Sequence, residues 1–173
     1  MTYIEALTSG MELLAQSGAL FVGQSVAYDG QAMYPTLSPV PPEQRIEMPV
    51  AEDFQMGFCI GLALEGFLPV CIYPRFDFLL IAANQLVNHL DKLPIFSDFK
   101  PKIIIRTAVG GRYPIDPGPQ HTQNHTTEFT TMCKTVKVVE LWEANEIVPA
   151  YKEAMKRDLS TLLVEHALNY HSK

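Results

Sequence analysis

The sequence has no cluster of lysine and arginine: its 13 basic residues are scattered over 173 positions and the net charge is −6. An acidic chain without a basic stripe repels a phosphate backbone, so a nucleic-acid partner is not expected. No apolar run is long enough to span a bilayer, so no membrane partner is expected either. The first residues mix Glu5 with polar groups and do not read as a signal peptide. Cysteine is scarce. Cys59, Cys71 and Cys133 are odd in number, sit in apolar settings and show no CxxC spacing, which predicts buried, reduced thiols of a cytoplasmic protein. Phosphate-cradling glycine patterns are also missing, because "VGQSVAYDG" (22–30) has neither GxGxxG spacing nor a P-loop lysine. No serine has the GxSxG surround of a hydrolase nucleophile. "HTQNH" (121–125) spaces two histidines four apart, but without the glutamate of HExxH or a third ligand, so no metal is expected.

What is present is a well-stocked core. Hydrophobic residues make up 47% of the chain and charged residues 18%, at a length that suits one domain over residues 1–173. Ile4, Leu7, Met11 and Leu14 share a helical face that Gly18 closes, and "ALFVGQSVA" (19–27) reads as a short buried strand. The proline-rich stretch 28–45 reads as a long irregular loop, the kind that is usually functional. A helix over 52–66, a strand over 68–74, a helix over 77–93 and a strand over 102–109 follow. The loop "GGRYPIDPGPQHTQNH" (110–125) then precedes a short helix near 126–132, a strand at 135–141, a helix at 145–157 and a strand at 161–167. Pro149 falls early in its helix, where a missing N–H is tolerated. Alternating helices and continuously apolar strands predict an α/β fold: a three-layer sandwich, a mostly parallel sheet with helices on both faces. Ligands of such sheets bind beyond the strand C-termini, where the loops 28–45, 74–76 and 110–125 should gather.

One placement raises a question. In "MPVAEDFQMGFCIGLALEGFLPV" (48–70), Glu52 and Asp53 sit where an apolar, glycine-spaced helix enters the interior. Acidic residues favour a first helical turn because they face the positive end of the dipole, so either one could simply be a cap. The other reading makes Glu52 a catalytic acid, since a carboxyl removed from water tends to hold or share a proton.

The stretch from Met48 to Leu93 resembles the pyrimidine-binding domain of transketolase-like, thiamine diphosphate-dependent enzymes, and within them the beta subunits of 2-oxoacid dehydrogenases. The resemblance is carried by Pro49–Glu52, the Gly57 to Gly66 helix, the aromatics from Tyr73 to Phe78, and Gln85 with Asn88. It continues through "IIIRTAVGG" (103–111), "PQHTQ" (119–123), "VKVVEL" (136–141) and "LLVEHALNY" (162–170), which is almost the whole chain.

The resemblance implies that Glu52 hydrogen-bonds a ring nitrogen of the cofactor's aminopyrimidine and is catalytic. It also implies that Phe78, with Phe76 close by, stacks on that ring, that Gln85 belongs to the cofactor-binding set, and that His121 lines the channel to the reactive carbon. There are departures. Gln24 stands where dehydrogenase beta subunits often carry an acid, and the sequence stops at Lys173 where those subunits continue into a C-terminal domain. No GDG…N segment is present: "YDG" (28–30) has no suitably placed asparagine. The expectation is therefore a pyrimidine-binding subunit of a split enzyme acting on C–C bonds next to a carbonyl, either a 2-oxoacid dehydrogenase or decarboxylase or a transketolase type. It would share thiamine diphosphate with an alpha-type partner chain that carries GDG…N and holds Mg²⁺, in a homo- or hetero-oligomer. The alternative is a non-catalytic assembly or regulatory domain that kept the fold.

Overall fold

In the computed structural model, residues 1–111 and 116–171 are described; positions 112–115 of the predicted 110–125 loop, and 172–173, lie outside them. Six strands form one sheet: β1 (Leu20–Gly23), β2 (Arg45–Glu47), β3 (Pro69–Tyr73), β4 (Ile104–Val109), β5 (Lys137–Leu141) and β6 (Thr161–His166). Their order is β2-β1-β3-β4-β6-β5 and every pairing is parallel. Successive side chains of a strand point to opposite faces, and the strand residues divide accordingly. Val70, Ile72, Ile104, Ala108 and Leu163 join one apolar cluster, with residues of α1 (Tyr3–Gln16) and α6 (Ala144–Lys156). Cys71, Tyr73, Ile105, Val109 and Val164 join the other, with α2 (Glu52–Leu64), α3 (Phe76–Leu79), residues 86–90 and α5 (Thr126–Met132). This is the expected α/β sandwich, with helices on both faces of a parallel sheet.

The two faces are fastened differently. On the first, α1 and α6 approach closely because residue 10 is glycine; a Cβ there would lie 2.7 Å from the Tyr151 ring. That notch lets Tyr151 reach through to Glu165 on β6, to which its hydroxyl donates at 3.0 Å. Tyr3 ties α1 to the sheet by donating to the Leu141 carbonyl (2.7 Å) and accepting from the His166 N–H (3.0 Å). On the second face, Asp91 is fully buried and accepts the backbone N–H groups of Lys134, Thr135 and Val136, which fixes the entry to β5.

Three local expectations are corrected. The predicted strand 19–27 stops at Gly23, because Ser25 turns back with φ +52° and the Glu47 carboxylate gathers the N–H groups of Ser25, Val26 and Ala27. The predicted loop 28–45 runs into the edge strand β2, which carries Glu47 to that turn. The predicted continuous helix 77–93 is broken into α3 and a π-helix over Gln85–Leu90, followed by α4 (Leu93–Phe96). Its apolar period does not register the wider turn, in which the Asp91 N–H reaches the Leu86 carbonyl (2.9 Å) and its side chain is buried. All three cysteines are free and buried. Burial pushes the Cys59 thiol up, and burial with nearby Asp91 pushes Cys133 up to about 11, so both stay thiols at neutral pH. Among the described residues no helix is long and apolar enough to cross a membrane.

Candidate functional site

The C-terminal ends of β1, β3 and β4 lead into the 24–31 turn, the Pro74–Phe78 segment and the loop ending at His121, and the candidate site is built there. Glu52 opens α2. Its N-cap, Ala51, makes no side-chain cap, and the Glu52 carboxylate is directed elsewhere: Oε1 accepts from the Gln24 amide at 3.2 Å. The residue is 6% exposed. Its main-chain carbonyl accepts from the Tyr73 hydroxyl at 3.0 Å, a phenol that burial holds neutral. Oε2 has no hydrogen-bond partner among the described residues. So Glu52 is a buried carboxylate with one oxygen fixed and the other uncommitted.

Gln24 also lines a cavity of about 240 Å³, with Ser25, Gln31, Pro74, Arg75 and Phe78 around it. Gln31 braces the turn by donating to the Gln24 carbonyl at 3.2 Å. Phe78 meets the His121 ring edge to face, centroids 5.3 Å apart. His121 Nδ1 is shielded from solvent and has no hydrogen-bond partner, and an orphaned ring nitrogen there is suited to a ligand oxygen. The His121 loop is pinned from three sides. Arg75 Nη1 donates to the His121 carbonyl at 3.0 Å, Gln123 donates to Asp77 at 2.7 Å, and Asn124 donates to Glu140 at 2.7 Å.

The structure brings together Phe78 and His121, and links Glu52 to the same cavity through Gln24. The other two expected residues do not line that cavity. Phe76 is fully buried, with its ring against His125 (5.5 Å) and Phe129 (5.2 Å), so it serves as core beneath the site. Gln85 lies on the flank of α2, donating to Asp53 at 3.4 Å and facing Gly57. Sequence reasoning passed over Gln24 as a partner of Glu52, and over Arg75. The available signal for Arg75 was a lone cation inside the aromatic segment "YPRFDF". A larger cavity of about 490 Å³ lies between Thr2–Tyr3 and Trp142–Ala144. It shares no lining residue with this site, and the helix ends beside it are already capped, α1 by the reciprocal Thr2–Glu5 box and α6 by Glu146, which accepts the Trp142 and Glu143 N–H groups. Among the described residues no group of three His, Cys, Asp or Glu is arranged to hold a metal ion.

The family model for the transketolase pyrimidine-binding domain matches residues 1–173. Among curated relatives, the rat mitochondrial pyruvate dehydrogenase E1 component subunit beta is 27% identical over 98% of this chain and 48% of its own length. The corresponding subunit of the alga Gracilaria tenuistipitata var. liui is 30% identical over 74% of this chain and 39% of its own. The chain thus spans about half the length of the curated relatives it matches. A solved structure described as a split-gene transketolase, an inactive beta4 tetramer, has the same fold. It aligns with a TM-score of 0.74 at 18% identity, covering 96% of this chain and 52% of that one.

Proposed function

Since this chain belongs to the family of transketolase pyrimidine-binding domains, we propose that it is the pyrimidine-binding subunit of a split thiamine diphosphate-dependent enzyme. The reaction would make or break a C–C bond next to a carbonyl, an oxidoreductase of the 2-oxoacid dehydrogenase type or a transferase of the transketolase type. The observation that carries the reading is Glu52: buried, uncapping, held on one oxygen by Gln24 and uncommitted on the other.

The residues fit the pyrimidine half of the cofactor. When bound, thiamine diphosphate supplies an acidic carbon and an electron sink for carbon–carbon chemistry. Glu52 Oε2 would hold a proton on a ring nitrogen, and the Gln24 amide and the Tyr73 hydroxyl keep the residue from rotating away. Phe78 offers an aromatic surface, and His121 Nδ1 would exchange a proton with a substrate oxygen. The diphosphate and its Mg²⁺ we assign to an alpha-type partner carrying GDG…N. α2 exposes Phe54 (58%) and Leu64 (62%), and the segment after α3 exposes Leu80 (43%) and Ile81 (59%), apolar side chains suited to coverage by that partner or by a second copy. Three free, buried cysteines suit a cytoplasmic, reducing environment.

Calorimetric titration with Mg²⁺ and thiamine diphosphate tests the split site. The chain alone should bind weakly, and the chain with its partner tightly. Tight binding by the chain alone would overturn the shared site. Weak binding that the partner never improves would favour a non-catalytic assembly domain.

A further inference from the structure

Arg75 stands between β3 and α3 in an extended conformation and borders the cavity that Gln24 and Phe78 line. Its Nη1 donates to the His121 carbonyl at 3.0 Å and reaches the Gly110 carbonyl at 3.5 Å, the two ends of the loop after β4. A guanidinium has five N–H donors in a rigid fork, and Nη1 supplies only two. The three on Nε and Nη2 have no protein partner among the described residues. Nor does Arg75 form an ion pair there; two carboxylates of this edge are committed elsewhere, and Glu52 on one of its oxygens only. Asp77 takes Gln123, Glu47 takes three backbone N–H groups, and Glu52 takes Gln24. Every other residue lining the cavity is uncharged. A half-buried cation that meets only carbonyls is electrostatically incomplete, and an anionic oxygen group is what its free edge would complete.

We propose that Arg75 is the specificity-determining residue of this cavity, binding an anionic group of the substrate, a carboxylate or a phosphate, through Nε and Nη2. Because Nη1 holds the His121 main chain at the same time, one side chain sets the spacing between the bound anion and the His121 ring. Calling the anion a substrate rests on the function proposed above; the anion site does not.

The test uses the full chain, ¹⁵N-labelled, with arginine Nε–H signals followed at constant ionic strength during titration with sodium pyruvate, inorganic phosphate and unphosphorylated thiamine. One arginine signal should shift saturably with pyruvate or with phosphate; whichever binds identifies the carboxylate or the phosphate as the preferred group. The response should weaken about tenfold or more in Arg75→Gln and fall in between for Arg75→Lys, which keeps the charge but not the fork. In the assembled enzyme, Arg75→Gln should raise KM about tenfold or more, a larger change than the loss of kcat that follows from releasing the His121 main chain. A residue that only clasps the loop would give the opposite split, with kcat lowered, KM unchanged and no saturable shift, and that result overturns the proposal. Thiamine reports on the cofactor reading separately through the Phe78 ring signals. An arginine response, without a thiamine response from either the chain alone or the assembled enzyme, leaves the anion site standing and removes the cofactor. A thiamine response without an arginine response overturns the anion site alone.

Discussion

Glu165 and Glu52 are both carboxylates taken out of water, and the chain treats them in opposite ways. Glu165, fully buried on β6, is met by Arg106 of β4 through Nε and through Nη2 (3.1 Å), and by the hydroxyls of Tyr151 and Tyr170. Burial and the adjacent carboxylate push both phenols well up, so they remain donors. Glu52 receives a single amide from Gln24 and no cation. A buried charge costs several kcal/mol unless paired and hydrogen-bonded. The first site meets that demand for its carboxylate from within the chain, and only Arg106 Nη1 of the guanidinium is buried there without a partner. The second is left short by one oxygen at the edge of the sheet where ligands of parallel α/β folds bind. A carboxylate whose environment is complete is part of the scaffold; one left incomplete, as Glu52 is, has an oxygen free for the ligand proposed above.

Substitution should separate the two roles most sharply. Glu52→Gln keeps the shape and the contact to Gln24 but loses the carboxylate that the proposed function uses to share a proton. Turnover of the assembled enzyme should fall about 10²- to 10⁴-fold, with the midpoint of denaturant unfolding nearly unchanged. Glu165→Gln should do the reverse. It leaves the Arg106 guanidinium buried without its counter-charge, so the unfolding free energy should drop by about 3–5 kcal/mol, a mechanism unrelated to catalysis. If Glu52→Gln destabilised the chain as much as Glu165→Gln, the contrast would collapse and Glu52 would be scaffold too.

Asp91 extends the comparison to pH. Burial opposes its ionisation, but the Lys92 ammonium and the N–H groups of Val136, Lys134 and Thr135 outweigh that and hold it at about 2. Its folded value is depressed, so its contribution is fully present above the ordinary aspartate range near 4 and is lost as pH falls toward 2. Asp91→Asn should flatten acid unfolding over that window and cost about 1–3 kcal/mol at neutral pH, since three backbone donors lose an ionised acceptor. Urea melts from pH 2 to pH 7 would show it. Parallel losses in wild type and variant across the acid limb would assign the acid sensitivity to other carboxylates.

These contrasts were unevenly written in the sequence. The long strands are continuous apolar runs and could be read directly, as could the helices that flank them. β2 could not, because Arg45–Glu47 offers a single apolar residue between two charges and becomes a strand only through its pairing with β1. Arg106 and Glu165 look like polar interruptions of otherwise apolar strands. They become complementary only because the parallel β4–β6 register pairs Arg106 with Leu163 and Ala108 with Glu165, so the two point to the same face. Glu52 stood out by its place at the entry of an apolar helix, and Phe78 and His121 were given roles by a family resemblance. The partners that give them geometry did not stand out, because Gln24 lies 28 residues from Glu52 and Arg75 lies 46 from His121. Contacts at such separations are set by the strand order, which no local pattern encodes.

The smallest expected effect is the control for the largest. Asp53 follows Glu52 in the first turn of α2, is exposed, and accepts only a long hydrogen bond, 3.4 Å, from Gln85. It is therefore the residue to which a plain helix-dipole role applies, worth about 0.3–1 kcal/mol at a solvated first turn. Asp53→Asn keeps the volume and an acceptor for Gln85 while removing the charge. Unfolding free energy should fall by no more than that range, more at low salt than at high salt because the interaction is screened. Turnover and thiamine diphosphate affinity of the assembled enzyme should stay within about twofold of wild type, since Gln85 sits on the helix flank rather than beside Gln24 and Phe78. A loss of cofactor affinity in Asp53→Asn, matched by Gln85→Ala, would instead bring Gln85 into the site. Equal losses of turnover in Asp53→Asn and Glu52→Gln would erase the distinction between the neighbouring acids and return both to the role of helix caps.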